Sequence, residues 1–351
     1  MARASSSLSL FLAGAYTLLA IYGSLYPFAG WHDSGAPLTA FLTASWPRYV
    51  TPFDLAINVA AYVPFGFLWV ATLAPHLKRL PAVLGVVVAG ALLSLCMETL
   101  QHFLPSRVPS NLDLACNSAG TLIGALVGAV WGRTVLDGGA LFRLREYLFC
   151  RGNAPDVGLL LIWLWLLTQL IPDTLLFGNG NLRELFDLPA PLPYSADGFV
   201  RIEAAIVGAQ TLAIALIVTL LARPWLPGVA LAVVGTGLLA KSFAFVLMMS
   251  GSSGLAWATP GSLAGLAAGL LLWFLATPLQ ARWQRALAAT ALLAATALVN
   301  IAPENPYLAN TYQIWNPGQF LNFYGLTRLT SNLWPFLALP WLILTRTDNE
   351  R

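Results

Sequence analysis

The chain has 351 residues, of which 18 are Lys or Arg and 15 are Asp or Glu, giving a net charge of +3. Charged residues make up 9% and apolar residues 58%, where a soluble domain carries about 25% charge. So few charges cannot cover a water-exposed surface, the aromatic content excludes disorder, and the weak net charge excludes a nucleic-acid surface. An all-α, polytopic transmembrane helical bundle is expected.

A bilayer core needs about 20 mainly apolar residues per helix. Windows of that size predict ten spans in chain order: Leu8–Phe28, Pro52–Leu73, Leu80–Leu104, Asn111–Trp131, Val157–Phe177, Ile202–Leu221, Gly228–Ser250, Leu255–Ala276, Ala286–Ile301 and Leu329–Thr345. Pro335 and Pro340 interrupt the last. With the N-terminus inside, twelve cations fall on the cytoplasmic side, five fall outside, and Lys241 lies within a span. That bias places both termini in the cytoplasm. The first apolar run is longer than a signal-peptide core and reads as a retained anchor. Three regions follow: a four-helix membrane domain over 1–132, a basic cytoplasmic linker over 133–156, and a second membrane region of about six helices over 157–351. Cys96, Cys116 and Cys150 have neither a zinc spacing nor a disulfide framework.

Charged and amide residues within spans are uncommon and usually functional. At 1.5 Å per residue, Asn58, Glu98 and Asn117 all fall about 9 Å below the outer surface. Asp54, Gln101 and Asp113 fall about 3–5 Å below it, and Arg107 sits in the short loop between the third and fourth spans. Asp113, Asn117, Gly120, Gly124 and Gly128 form one i,i+4 stripe, so a small-residue packing seam shares its face with the polar layer. Thr51-Pro52-Phe53-Asp54 and Ser110-Asn111-Leu112-Asp113 both read as capping boxes with aspartate in the reciprocal position. Capping alone would account for the two aspartates. It cannot account for Glu98, which lies near a helix C-terminus where the dipole disfavours an anion. Burial of a lone carboxylate favours its protonated form, and Arg107, the nearest cation in sequence, could hold it charged. The plainer alternative is a structural hydrogen bond from Asn58 or Asn117.

These residues also carry a family pattern. The stretches TPFDLAINVAAYVPFGFLWV and METLQHFLPSRVPSNLDLACNSAGTLIGALVG resemble the VanZ-like family of bacterial membrane proteins. Asp54 and Asn58 precede Pro64 and Gly66, Glu98 and Gln101 follow, and Arg107, Asp113, Asn117, Gly120 and Gly124 complete it. The resemblance covers residues 8–131, and the six later helices show no match. It implies a multi-pass protein of the bacterial inner membrane with a role at the cell envelope. The family is named for a protein associated with low-level resistance to the glycopeptide teicoplanin, so a resistance role is among the expectations.

In the second half, Lys241 should pair with an acid or line a cavity, and Asp173 and Glu203 are the candidate partners. The loop from Ala302 to Arg328 is rich in Asn and aromatic residues, including Asn305, Tyr307, Trp315 and Asn322. It suits either headgroup contacts or an interfacial belt. Trp163, Trp165, Trp273 and Trp283 read as belt or lipid-facing residues. No Walker loop, HExxH or nucleophile elbow occurs, so no cofactor and no metal are expected, although Asp54, Glu98 and Asp113 would offer a divalent cation hard oxygen ligands. Two helix N-termini beside Arg107 would suit an anion.

The expected function is an outer-facing polar pocket that binds or modulates an envelope component: a lipid headgroup, a glycolipid, or a glycopeptide-like or peptidoglycan-related molecule. Membrane lipids are the expected partners. An integral-membrane enzyme using Glu98 as acid or base is the alternative, and a transporter is third.

Overall fold

A computed structural model describes residues 8–33, 35–46, 52–74, 76–136, 139–172, 174–186, 188–223, 226, 228–248, 253–303 and 321–344. Within these, the side chains of 52–54, 133–136, 140–141, 184–185, 248 and 321–323 lie outside the description. The described residues are helical, without a strand ladder. The Asp54 side chain, Asp173 and residues 304–320 therefore lie outside the described residues.

The helices are α1 (Leu8–Leu25), α2 (Ala40–Thr43), α3 (Pro52–Leu73), α4 (Arg79–Gln101), α5 (Asn111–Leu136), α6 (Ala140–Leu148), α7 (Asn153–Thr168), α8 (Leu182–Leu185), α9 (Ala196–Leu221), α10 (Gly228–Met248), α11 (Pro260–Ala276), α12 (Ala281–Ile301) and α13 (Leu321–Leu344). Seven are long and apolar enough to cross a membrane: α1, α3, α4, α5, α9, α10 and α12. Two more, α7 and α11, are apolar but have 16 and 17 residues.

Several ends differ from the hydropathy windows. The window Val157–Phe177 corresponds to α7, which starts at Asn153 and stops at Thr168. Apolar composition continues beyond it, but Pro172 supplies no backbone donor and the chain turns through the buried residues 176–180 instead. Helix α11 begins at Pro260 rather than Leu255, because the Thr259 side chain caps the Ser262 N–H at 3.0 Å with proline at the first helical position. Helix α13 begins eight residues ahead of the window that starts at Leu329. Its polar turn is buried at Thr327, Thr330, Ser331 and Asn332, and hydroxyl bonds such as Thr330 Oγ1 to the Leu326 carbonyl (2.8 Å) satisfy it internally.

The chain forms two compact units, Met1–Glu146 and Tyr147–Arg351. Within the stretch 133–156, α5 continues to Leu136, α6 spans Ala140–Leu148, and α7 starts at Asn153. The spacing of Leu141, Leu144 and Leu148 at i, i+3 and i+7, with Arg143, Arg145 and Glu146 between them, favours that helix. In the second unit, the Cys150 N–H bonds the Leu221 carbonyl at 2.9 Å and the Arg223 N–H bonds the Leu148 carbonyl at 2.8 Å. The chain entering α7 is thereby tied to the C-terminal end of α9.

In the first unit, α3 and α5 pack most closely. A β-carbon at Gly120, Gly124 or Gly128 would overlap the backbone of Val59, Val63 or Phe67, and one at Gly66 would overlap that of Thr121. The numbers rise together on both helices, so α3 and α5 are parallel neighbours at backbone contact, as small-residue seams allow. Helix α4 runs antiparallel to α5. Helix α1 lies on α3, where Tyr16 donates to the Ala61 carbonyl at 2.7 Å and Trp69 Nε1 donates to Thr17 at 3.0 Å.

In the second unit, α9 is the central helix, buried along most of its length, with α10, α11 and α12 packed against it. Trp165 and Trp273 are core residues there, 0% and 5% exposed, not the belt or lipid-facing residues expected. Trp165 packs on Phe177, and Trp273 Nε1 donates to Thr219 at 2.9 Å. Trp283 is exposed.

Candidate functional site

The polar residues of the first unit gather where the C-terminal end of α4 meets the N-terminal ends of α3 and α5. Three rungs join α4 to α5. Gly90 faces Thr121 so closely that a β-carbon would overlap its side chain. Asn117 donates its amide to Ser94 Oγ at 2.9 Å. Glu98 Oε2 accepts the backbone N–H of Ser110 at 2.8 Å.

The last rung sets the cap of α5. Ser110 caps the helix, its hydroxyl accepting from the N–H groups of Leu112 (3.2 Å) and Asp113 (3.4 Å). In a capping box the third helical residue would accept the cap residue's own N–H. Here Glu98 accepts it from a neighbouring helix, and Asp113, freed from that duty, accepts a hydrogen bond from Asn58 Nδ2 at 2.8 Å. The expected capping box at Ser110–Asp113 is therefore half right: the cap is Ser110, and the reciprocal carboxylate is Glu98. This arrangement also explains how a carboxyl group is accommodated near the end of α4. It sits at the positive end of α5, where an unsatisfied N–H and the helix dipole both favour it. The Glu98 carboxyl group thus occupies the α5 N-terminus, one of the two expected to suit an anion.

The expected partners of Glu98 are reassigned accordingly. Asn58 serves Asp113, and Asn117 serves Ser94. Arg107 acts on Glu98 electrostatically, while its Nε donates to the Tyr26 carbonyl at 3.1 Å and a terminal guanidinium nitrogen donates to the same oxygen. Burial pulls the Arg107 pKa below the ordinary arginine value, and the Glu98 carboxylate opposes that shift. Gln101 donates to the Ser24 carbonyl at 2.7 Å. Gln101 and Arg107 therefore both grip the backbone at the end of α1.

Glu98 and Asn117 are buried, at 3% and 7% exposure, whereas Asn58, Gln101, Arg107 and Asp113 are half-buried. The structure thus brings six of the seven expected polar residues to one end of the bundle, in a buried and a half-buried layer. Pro64 lies within α3, and Gly66, Gly120, Gly124 and Gly128 form the seam beneath. Ser94 and Ser110 were missing from the expected site. Ser94 was detectable, because Gly90, Ser94 and Glu98 repeat every four residues on one face of α4. Among the described residues, no group of three or more His, Cys, Asp or Glu could hold a metal ion.

Residues 8–132 match the family model described as VanZ/LLP1. The N-terminal unit is VanZ-like. The matched span covers α1 to α4, α5 as far as Gly132, and every residue of the polar cluster. With its long apolar helices, the chain is a membrane protein whose residues 8–132 are similar to that family. No curated protein and no solved structure matches the chain.

In the second unit, Lys241, 1% exposed, donates from Nζ to the Ile171 carbonyl (2.5 Å), the Thr174 carbonyl (2.8 Å) and Thr174 Oγ1 (3.0 Å), and its ammonium lies 5.9 Å from the Phe245 ring centroid. Glu203 is seated at the N-terminus of α11, bonded to the Thr259 side chain and so close to Gly261 that a β-carbon there would overlap its Oε2.

Proposed function

We propose that this is a multi-pass protein of the bacterial cytoplasmic membrane whose VanZ-like bundle presents an outward-facing polar site to a component of the cell envelope. The ligand class is a lipid headgroup, a glycolipid or a glycopeptide-like molecule. The observation that carries this reading is the Asn58–Asp113 pair, half-buried at the end of the α3–α5 seam and fixed by a direct hydrogen bond. Polar groups at such a depth are costly and usually functional, and a site held by its own hydrogen bonds is preorganised for binding.

The charges support a ligand rich in hydroxyl or amide groups. Arg107 supplies a cation, Asp113 an anion, and Asn58 and Gln101 supply amides, so donors and acceptors alternate across a small area. The excess of cations expected in the opposite loops supports the outward orientation.

A growth assay tests the resistance branch. Bacteria sensitive to teicoplanin would express the wild-type chain or Asp113→Asn. Protection by the wild type and its loss in the variant, at equal membrane abundance, supports a glycopeptide-like ligand. Equal growth of wild-type and empty-vector cells removes that branch and leaves the lipid or glycolipid reading.

A further inference from the structure

Helices α7 to α11 run through the same order of elements as α1 to α5. In each set a long helix is followed by a four-residue helix and then by three further helices. In each, the first and last of those three pack in parallel through glycines spaced by four. Gly120, Gly124 and Gly128 lie on the carbonyl oxygens of Val59, Val63 and Phe67, and Gly261, Gly265 and Gly269 lie on those of Val200, Ala204 and Gly208.

The agreement extends to the turn that leaves the first helix. Tyr22 lies in the last turn of α1 and packs on Phe28 with ring centroids 5.0 Å apart. Trp165 lies in the last turn of α7 and packs on Phe177, also at 5.0 Å. Phe28 and Phe177 have φ of 61° and 59°, and among the described residues they are the non-glycine positions with positive φ. A bulky side chain rarely adopts that conformation. Between aromatic and phenylalanine stand Leu25-Tyr26-Pro27 in one set and Leu170-Ile171-Pro172 in the other. In both, the carbonyl preceding the proline accepts a hydrogen bond from a buried or half-buried cation. Arg107 Nε serves Tyr26 at 3.1 Å, and Lys241 Nζ serves Ile171 at 2.5 Å.

We propose that residues 153–276 are a second bundle built on the plan of residues 8–136, an internal repeat, and that Lys241 is its positioning residue equivalent to Arg107. Each cation ties the end of its bundle's first helix to the helices that follow. The repeat escapes a sequence comparison because it resides in glycine spacing, one turn and one cation, with different residues filling most positions. The two copies differ in their middle helix, which packs chiefly on α5 in the first and on α9 in the second. They also differ in the spacing from proline to phenylalanine, which are adjacent in the first and five residues apart in the second, and in the exposure of that turn. Residues 28–33 of the first are exposed, whereas residues 176–180 of the second are buried. Bonds from later helices hold the buried copy: the Gly180 N–H to the Ser331 carbonyl (2.9 Å), Ser331 Oγ to Asn179 Oδ1 (2.8 Å), and Asn300 Nδ2 to the Gly180 carbonyl (2.7 Å). Helices α12 and α13 are the addition that closes the second copy.

Two measurements on the full-length protein in phosphatidylethanolamine–phosphatidylglycerol vesicles test this. First, single cysteines replace Ser106, Ser253, His76 or Leu226 in a background lacking Cys96, Cys116 and Cys150, and a membrane-impermeant maleimide reports their side. The repeat expects Ser106 and Ser253 on one side and His76 and Leu226 on the other. Labelling of the Ser253 position from the side opposite Ser106 overturns it. Second, hydrogen exchange over residues 171–180 should accelerate about tenfold or more in Lys241→Met, as local opening becomes easier, and should return towards wild type in Lys241→Arg, the cation of the first copy. Unchanged exchange in Lys241→Met overturns the role given to Lys241. If that variant does not fold, Lys241→Arg decides the matter, because loss of protection there overturns the equivalence with Arg107.

Discussion

Asn58 and Asp113 are joined at 2.8 Å across the parallel seam of α3 and α5 because Glu98, not Asp113, accepts the N–H of the α5 cap residue. The pair should therefore be energetically coupled. Asp113→Leu should destabilise the bundle by about 1 kcal/mol, since it orphans the Asn58 amide. Asn58→Leu in the Asp113→Leu background should cost little more. Asp113→Asn, which keeps an acceptor, should stay close to wild type. Thermal unfolding in detergent across this double-mutant cycle reads the coupling, and additive losses would show that the pair does not act together.

Glu98 should tolerate loss of charge better than loss of its oxygen. Glu98→Gln retains an acceptor for the Ser110 N–H, whereas Glu98→Leu leaves that buried donor unpaired at a cost of about 1–3 kcal/mol. Stability measurements on the two variants separate a capping role from a purely electrostatic one. If both variants unfold at the same temperature, the cap is not what Glu98 provides.

The α3–α5 seam makes a sharper prediction. Gly124→Ala sets a β-carbon on the Val63 carbonyl oxygen, and the helices must separate, at a cost of about 3 kcal/mol or the whole fold. Gly85→Ala in α4 meets nothing within 4 Å and should be neutral or stabilising by up to about 1 kcal/mol through helix propensity. Yield of monodisperse protein and melting temperature compare the two directly.

In the second unit, Glu203 at the N-terminus of α11 should be replaceable by Gln with small loss. Glu203→Leu should cost about 1–2 kcal/mol by removing the carboxylate from the helix dipole and from Thr259. Gly261→Ala should be damaging for a separate reason, because its β-carbon would overlap the Glu203 carboxylate and the Val200 carbonyl. A Glu203→Leu variant as stable as wild type would contradict this account of the terminus.

Much of the first unit was legible in the sequence. The stripe from Asp113 through Gly128 reported the seam directly, because i,i+4 spacing on a helix is a statement about one face. Depth along each helix could be counted, so the gathering of Asn58, Glu98, Gln101, Arg107, Asp113 and Asn117 at one end was foreseeable. Their pairings were not. Residue counting gives height and leaves the rotation of one helix against the next undetermined, and that rotation decided that Glu98 meets Ser110 and Asn58 meets Asp113.

Lys241 shows the same limit from another side. Its burial pointed to an acid, and the candidate Asp173 lies outside the described residues; the bonds described at its ammonium add two backbone carbonyls and a hydroxyl beyond the end of α7. Every residue carries a carbonyl, so no residue type marks such a partner in advance. The end of α7 was hidden for a related reason: the residues that leave the helix are as apolar as those within it, and hydropathy cannot distinguish a span from a buried turn.

The most direct test of the outward polar site is to identify what copurifies with it. Wild type, Asp113→Asn and Gly85→Ala would be extracted in mild detergent, and the bound lipids and glycolipids measured by mass spectrometry against the bulk membrane. The account predicts one envelope species enriched on wild type and on Gly85→Ala, and depleted about tenfold on folded Asp113→Asn, equivalent to about 1.4 kcal/mol of binding. The same lipid profile on all three proteins, matching the bulk membrane, would contradict it.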